Sequence, residues 1–440
     1  MASATSEDIP LVDLLQTPHR IDAISGTVAG PSVVIVSDGK IQAVGGPELL
    51  TSPLAKNARV RTFDNATILP GLIDAHSHPL ITGDDYQLDH MRRSSPEKAL
   101  LGLAAVQGNL RAGWTTLRVA GDADTGYVVS DLKKVLLDRV FVGPRLTGAA
   151  HYLSITGGGG DINFLSPEFR GLPGFRPDGR IVDGVDEMRK AVREEIQFGS
   201  DWIKLLVTGA FMSAGDNPKD LHFSPEEVRV AVEEAARHGV PVMAHAHGTE
   251  GIKVAIRAGV RSIEHGTFLD DEAIRLLVEH GTYLVPTVWI GDYYIQKGSP
   301  SGMQDKMVEL SKKYRAEHCG WVKKAVAAGV KIGVGADQAP FTRVRARTLS
   351  APSAVTSSAS PESASYSASK PRSSAFWAEM AVESTAGASS LQRRASQVRT
   401  TRSAPAPVSS CAATSSSGFA PVETRCTSQR TSLPSASGIS

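Results

Sequence analysis

Between residues 68 and 336 short apolar runs alternate with segments of helical period. The runs fall at 68–75, 115–119, 145–151, 202–207, 241–245, 261–265, 282–287 and 331–336 and read as strands. The segments between them include 185–198, 224–238, 248–258, 271–280 and 303–328. Ser224-Pro225-Glu226-Glu227 has the order of a helix start: an N-cap serine, proline at the first helical position and acids in the first turn. Eight strands alternating with helices predict an α/β fold, a (β/α)8 TIM-like barrel over 67–342.

The flanks differ. Residues 20–66 read as short strands and turns, with Val33-Val34-Ile35-Val36 leading through Asp38-Gly39 into Lys40-Ile41-Gln42-Ala43-Val44. This predicts part of a small, incomplete β-domain after an extension over 1–19. Beyond residue 350 the pattern vanishes. Residues 351–440 hold 25 Ser, 17 Ala and no Asp, and eight basic residues against four Glu give that stretch a charge of +4. So few long apolar side chains cannot offset the entropy of ordering, so 343–440 is expected to be a disordered tail. It is either a natural tail or the product of a shifted frame or mis-spliced gene.

Composition narrows the class. At 440 residues the chain can bury a large core. Its net charge of +1 gives no reason to expect nucleic acid or an anionic membrane as partner. The first ten residues lack the basic and apolar regions of a signal peptide, and no apolar run approaches a spanning helix. Cys319, Cys411 and Cys426 form no metal-type cluster, and so sparse a set fits a reducing compartment. The expected location is cytoplasmic.

The chemistry gathers at predicted strand ends. His76 and His78 close the first run, two positions apart, the spacing that puts side chains on one face of a strand. Lys204 interrupts the apolar run Trp202-Ile203-Lys204-Leu205-Leu206-Val207, His245 and His265 end their runs, and Asp337 follows the last. Singly, each has an ordinary explanation: a rim histidine, a lysine reaching for solvent, an aspartate capping the next segment. Jointly they put six potential ligands on five strand ends, where barrel enzymes carry their active sites.

The motifs Leu69-Pro70-Gly71-Leu72-Ile73-Asp74-Ala75-His76-Ser77-His78, Ser154-Ile155-Thr156-Gly157-Gly158, Asp201-Trp202-Ile203-Lys204, Ala244-His245-Ala246-His247-Gly248, Ile263-Glu264-His265-Gly266 and Gly335-Ala336-Asp337 are quoted from the chain as it stands. Together they resemble the amidohydrolase superfamily, in its imidazolonepropionase-like and Xaa-Pro or Xaa-Arg dipeptidase branch, over about residues 20–342. The resemblance implies two divalent metal ions, usually zinc. His76, His78 and Asp337 would hold one, His245 and His265 the other, and a CO2-derived carbamate on Lys204 would bridge them. Only a neutral amine adds CO2, and burial beside cations lowers a lysine pKa.

The implied reaction is hydrolysis of an amide or dipeptide-like bond by a metal-bridging hydroxide. Asp337 would carry its proton to the leaving amine. His247, on the inward face with His245, would contact the substrate carbonyl or the tetrahedral intermediate. His151, Tyr152 and the loop with Gly158 and Gly159 would line the substrate pocket. The partner implied is a small amide or dipeptide substrate, and a complete fold would form a homo-oligomer.

The chain departs from relatives in two places. Gly159 stands where a histidine is common, and Leu117-Arg118-Val119-Ala120 replaces a Val-Arg-Asp sequence. Three alternatives stay open. A one-metal deaminase of the superfamily typically has Glu three residues after the strand-five histidine, where this chain has Gly248. A lactonase or phosphotriesterase uses the same metal pair. A catalytically impaired product is the third, because no Gly-Lys-x-Ala-Asp-Leu motif follows Asp337 to complete the small β-domain.

Overall fold

The computed structural model describes residues 12–337, apart from 38, 82–85, 125, 171–178, 214 and 298–304. The tail expected at 343–440, the end of the expected barrel at 338–342 and the first eleven residues lie outside the described residues.

The chain opens with seven short strands: β1 (Val12–Thr17), β2 (His19–Ile21), β3 (Val28–Ala29), β4 (Ser32–Ser37), β5 (Lys40–Gly45), β6 (Arg59–Thr62) and β7 (Thr67–Ile68). β4 and β5 pair antiparallel, as the hairpin pattern predicts, in a sheet ordered β5-β4-β1-β6. Leu14, Val33 and Ile35 form its core. β1 corrects the expected boundary: it lies within the stretch read as an extension, yet it is an inner strand, with β4 on one side and β6 on the other. Its apolar residues at 12, 14 and 15 were too few to mark it as a strand without its partners.

The larger part follows as β8 (Leu72–Ser77), α1 (Tyr86–Arg92), α2 (Ser95–Arg111), β9 (Trp114–Ala120), α3 (Val128–Leu137), β10 (Arg145–Ala149), β11 (Tyr152–Ser154), α4 (Pro167–Arg170) and β12 (Arg180–Ile181). Next come α5 (Val185–Gln197), β13 (Ile203–Leu206), α6 (Pro225–Arg237), β14 (Val242–Ala246), α7 (Thr249–Ala258), β15 (Ser262–His265), α8 (Asp271–His280), β16 (Tyr283–Val285), α9 (Val288–Lys297) and α10 (Asp305–Ala327). The strands pair in parallel, in one sheet ordered β10-β9-β8 and another ordered β12-β11-β13-β14-β15-β16.

Local sequence sets the helix ends. Ser224 and Glu227 form a reciprocal capping box at the start of α6. Asp270 caps α8 by accepting from Ala273 N, and Gly281 ends it at φ 63°. Between helices and strands lies the main core, with Met188, Val192, Ile203, Leu205, Ile252 and Leu284 among its members. Alternation in β13 sends Ile203 and Leu205 to that core, which leaves Lys204 on the other face.

The run at 331–336 is not a regular strand. It makes one isolated parallel bridge, Leu284 to Ile332. Its backbone still bonds on both sides: Leu284 N donates to Lys331 O and Gly333 N to Leu284 O, while Ala75 N donates to Val334 O and Asp337 N to His76 O. The segment therefore joins β16 to β8. Gly335 permits the fit, since a methyl built there would lie 2.6 Å from both His76 Cβ and Val285 Cγ1. Among the described residues no helix is long and apolar enough to cross a membrane.

Candidate metal centre

Two groups of ligand-type side chains form at the strand ends. In one, His76, His78 and Asp337 bring a donor atom each to within 4.8 Å of the others; His245, His247 and His265 do the same in the second. The His76 and His265 rings, 5.0 Å apart, connect the groups.

In the first group the Nδ1 atoms are occupied. His76 Nδ1 donates to Glu264 Oε2 at 2.7 Å and His78 Nδ1 donates to Gly121 O at 2.6 Å. That assignment leaves both Nε2 atoms facing Asp337 Oδ1, each at 3.3 Å. Burial alone would raise the Asp337 carboxyl, but His76 and His78 outweigh it and hold it well below the ordinary range. Burial lowers His78, but Asp337 prevails and raises it. Two Nε2 atoms and a carboxylate oxygen within 4.8 Å of one another offer a donor set to a cation that displaces the proton between them, and each imidazole is oriented from behind.

The second group is held neutral. Burial, then the neighbouring imidazoles, push His265 well below its ordinary pKa; burial, His247 and Lys204 do the same to His245. Burial takes His247 down to about 3. His245 Nε2 donates to Gly209 O at 3.2 Å, so its Nδ1 carries the free lone pair. His265 Nδ1 meets Thr287 Oγ1 at 2.7 Å and His247 Nδ1 meets Thr267 Oγ1 at 2.8 Å. The His247 ring is sandwiched between Phe211 at 4.5 Å and His265 at 4.6 Å, both within 18° of parallel. Neutral imidazoles with fixed tautomers suit a divalent cation.

Lys204 lies close by, with 2 % of its surface exposed. Desolvation lowers its ammonium from 10.5 to about 8, against the pull of Glu264 and Asp337. A substantial neutral fraction near pH 8 meets the requirement for adding CO2. The two ligand groups present thus fit divalent ions.

The backbone is strained here. His265, Thr287 and Asp337 have φ of 74°, 45° and 52°. Such conformations cost about 1–3 kcal/mol each, and β-branched Thr287 is the most unusual of the three.

Several supporting residues had no role assigned from sequence. Glu264 is fully buried and also accepts from Arg118 Nη2 at 2.7 Å. Burial would raise its carboxyl, but Arg118 and His76 hold it down at about 2. Arg118 also donates to Ala75 O and to Ser262 Oγ, and its guanidinium lies 4.7 Å from the Trp202 ring centre. Asp74 Oδ1 accepts from His76 N and from Ala336 N, tying the first ligand strand to the last. His318, from α10, donates to His265 O. Glu264 and Arg118 do stand inside quoted motifs, and a charged residue in a buried strand was the available signal.

The expected pocket residues lie at β11, from the residue just before it to the loop after it. His151 Nδ1 bonds Glu195 at 2.8 Å, in a group with Ser200 and the Tyr127 hydroxyl. This network fixes the ring through Nδ1. Tyr152 packs its ring edge against Gly160 and Gly179. A methyl at Gly158 would lie 2.6 Å from Ser154 Oγ, and one at Gly159 would lie 3.2–3.3 Å from Ala210, Leu206 and Ser213. The glycine loop is thus packed against Leu206 at the end of β13 and the segment after it, and a side chain at position 159 requires its neighbours to shift.

The chain is similar to proteins of known structure and activity. The family model described as "Amidohydrolase family" matches residues 67–386, beyond the limit of 342 read from sequence. Ochratoxinase of Aspergillus niger is 32% identical over 323 residues, 70% of this chain and 65% of that protein. The chain thus spans just under two thirds of that relative. Imidazolonepropionase of Rhizorhabdus wittichii is 28% identical over 62% of this chain and 70% of its own. The A. niger ochratoxinase crystal structure superposes with a TM-score of 0.67 and 30% identity, covering 75% of this chain and 76% of that one. A Xaa-Pro dipeptidase with methionine bound in its active site gives 0.66 and 30%, covering 74% and 79%. By the family match and the ligand groups together, the chain belongs to the amidohydrolase family.

Proposed function

We propose that this chain is a metal-dependent hydrolase of amide bonds in small dipeptide-like molecules, built on a TIM-like barrel that the segment 331–337 closes between β16 and β8. The observation that carries the reading is two ligand groups linked by the 5.0 Å approach of His76 and His265, with buried Lys204 acting electrostatically on members of both. Ochratoxinase and Xaa-Pro dipeptidase among the similar proteins support the substrate class.

His76, His78 and Asp337 would hold one divalent ion, zinc in the simplest case. His245 and His265 would hold the second, with Lys204, once carboxylated by CO2, as a further ligand. Bound there, such ions supply a water of near-neutral pKa and polarise the scissile carbonyl. Asp337 takes the water's proton on a carboxylate oxygen and passes it to the departing amine. His247, fixed between Phe211 and His265, offers its Nε2 edge to the substrate carbonyl.

The test is amine release from N-acyl amino acids and from Xaa-Pro and Xaa-Arg dipeptides by zinc-loaded protein in bicarbonate buffer. Turnover that chelation abolishes and zinc restores is expected. Hydrolysis of lactones or phosphotriesters with no amide turnover would overturn the assignment.

A further inference from the structure

In the loop after β13, the peptide unit between Gly209 and Ala210 is held at both ends. Its carbonyl, Gly209 O, accepts from His245 Nε2 at 3.2 Å, and its amide, Ala210 N, donates to Asp216 Oδ2 at 2.8 Å. A buried carboxylate is thus joined to a candidate ligand imidazole through a single peptide group. The close approach needs glycine: a methyl at Gly209 would run into Asn217 O and Asp216 Oδ1.

Asp216 is itself aimed by its neighbours. Its Oδ1 accepts from Asn217 N at 2.9 Å and from His222 Nε2 at 3.0 Å, which leaves Oδ2 for Ala210. Lys306 from α10 donates to the Asp216 carbonyl. Contact with a carboxylate oxygen sets the His222 proton on Nε2, so the lone pair is on Nδ1. That atom is buried with no hydrogen-bond partner among the described residues, against Gly158, where a methyl would lie 3.1 Å from it. Leaving a buried acceptor unpaired is costly. The imidazole's return for that cost is the direction it gives the Asp216 carboxylate.

We propose that Asp216 is a positioning residue for His245, acting through the 209–210 peptide. Its negative charge at the amide N–H polarises the peptide and makes the carbonyl at the other end a stronger acceptor. That carbonyl keeps the His245 proton on Nε2 and the Nδ1 lone pair free for a cation. His222 acts one step further back, on Asp216. His245 serves a cation only under the proposed function, whereas its tautomer does not depend on that reading.

The test is the tautomer of His245 in the metal-free full chain, read by heteronuclear NMR of isotope-labelled histidine and assigned by the signal lost in His245→Gln. Wild type should carry the proton on Nε2. Asp216→Asn keeps one acceptor oxygen where the carboxylate has two. It should shift the tautomer ratio roughly fivefold toward Nδ1–H and weaken zinc binding about tenfold. His222→Leu leaves the charge but not its aim, and should shift the ratio the same way by less. Ser213→Ala removes a different bond of this loop, to Gly159 O, and should leave the ratio unchanged. A proton on Nδ1 in wild type would overturn the proposal. So would a ratio unmoved in whichever of Asp216→Asn and His222→Leu folds, or an equal shift in Ser213→Ala. The tautomer is read without turnover, so failed hydrolysis would count against the activity alone.

Discussion

Glu264 and His76 meet across 188 residues of sequence, Oε2 to Nδ1 at 2.7 Å, with both side chains almost wholly buried. The carboxylate orients a ligand of the first group, while the next residue, His265, serves the second. One turn of backbone thus supports both groups. Glu264→Gln should lower zinc affinity about 10–100-fold, the usual cost of losing a ligand's orienting partner. It also strands the Arg118 charge, so the metal-free protein should lose about 3–5 kcal/mol. Zinc titration against a chelating dye and urea unfolding would measure the two; unchanged affinity would refute the orienting role.

Thr287 couples strain to ligand position. Its φ of 45° is unfavourable for a β-branched residue, and its hydroxyl meets His265 Nδ1. Thr287→Gly should relieve the backbone and raise the stability of the metal-free protein by about 1 kcal/mol, after the glycine's own entropy cost. The same change should weaken zinc binding about tenfold, and Thr287→Ser should preserve it. A simultaneous loss of stability and affinity in the glycine variant would show that the strain is absent.

The metal-free protein should be sensitive to acid. His245, His247, His265 and His318 all fall below the ordinary value of 6.5, burial being the largest cause in each; His318 reaches about 4. As pH drops through 6.5, the unfolded chain binds protons that the folded chain refuses, so stability falls. His78 and His151 are raised by Asp337 and Glu195 and offset part of this. Thermal midpoints of chelator-treated protein should fall from about pH 7 to about pH 5, and His318→Gln should flatten the slope. A midpoint that rises on acidification would contradict the direction of these shifts.

Gly159 is a packing residue in this chain. Restoring the histidine common in relatives forces a side chain against Ala210, Leu206 and Ser213. Gly159→His should destabilise the fold by about 1–3 kcal/mol, as overpacking does, with no gain in amide turnover. Higher turnover at unchanged stability would mean that the loop opens to accept the ring.

Much of the centre was legible because a strand's two-residue period and strand-end placement leave few positions for a ligand. His76, His78, His245, His265 and Asp337 follow from that geometry. Glu264 was not legible as an orienting group. In a strand it alternates with His265, so its face reads as outward, and only Arg118 and His76, from distant strands, turn it into a satisfied interior charge. The partner of His151 was not legible for a similar reason: Glu195 lies on α5, 44 residues away. The segment at 331–336 has a strand's apolar pattern, but its glycines and its fit against His76 leave one bridge in place of a ladder.

The bond from Ala336 N to Asp74 Oδ1 spans 262 residues. During synthesis at about 5–20 residues per second, His76 and His78 wait roughly 15–50 seconds for Asp337 to be made. Through that interval the nascent chain carries unpaired imidazoles and an open seam beside β8. The first ligand group is therefore completed late in this protein's life, and under the proposed function a metal-responsive signal on ribosome-bound chains would report the moment the seam shuts.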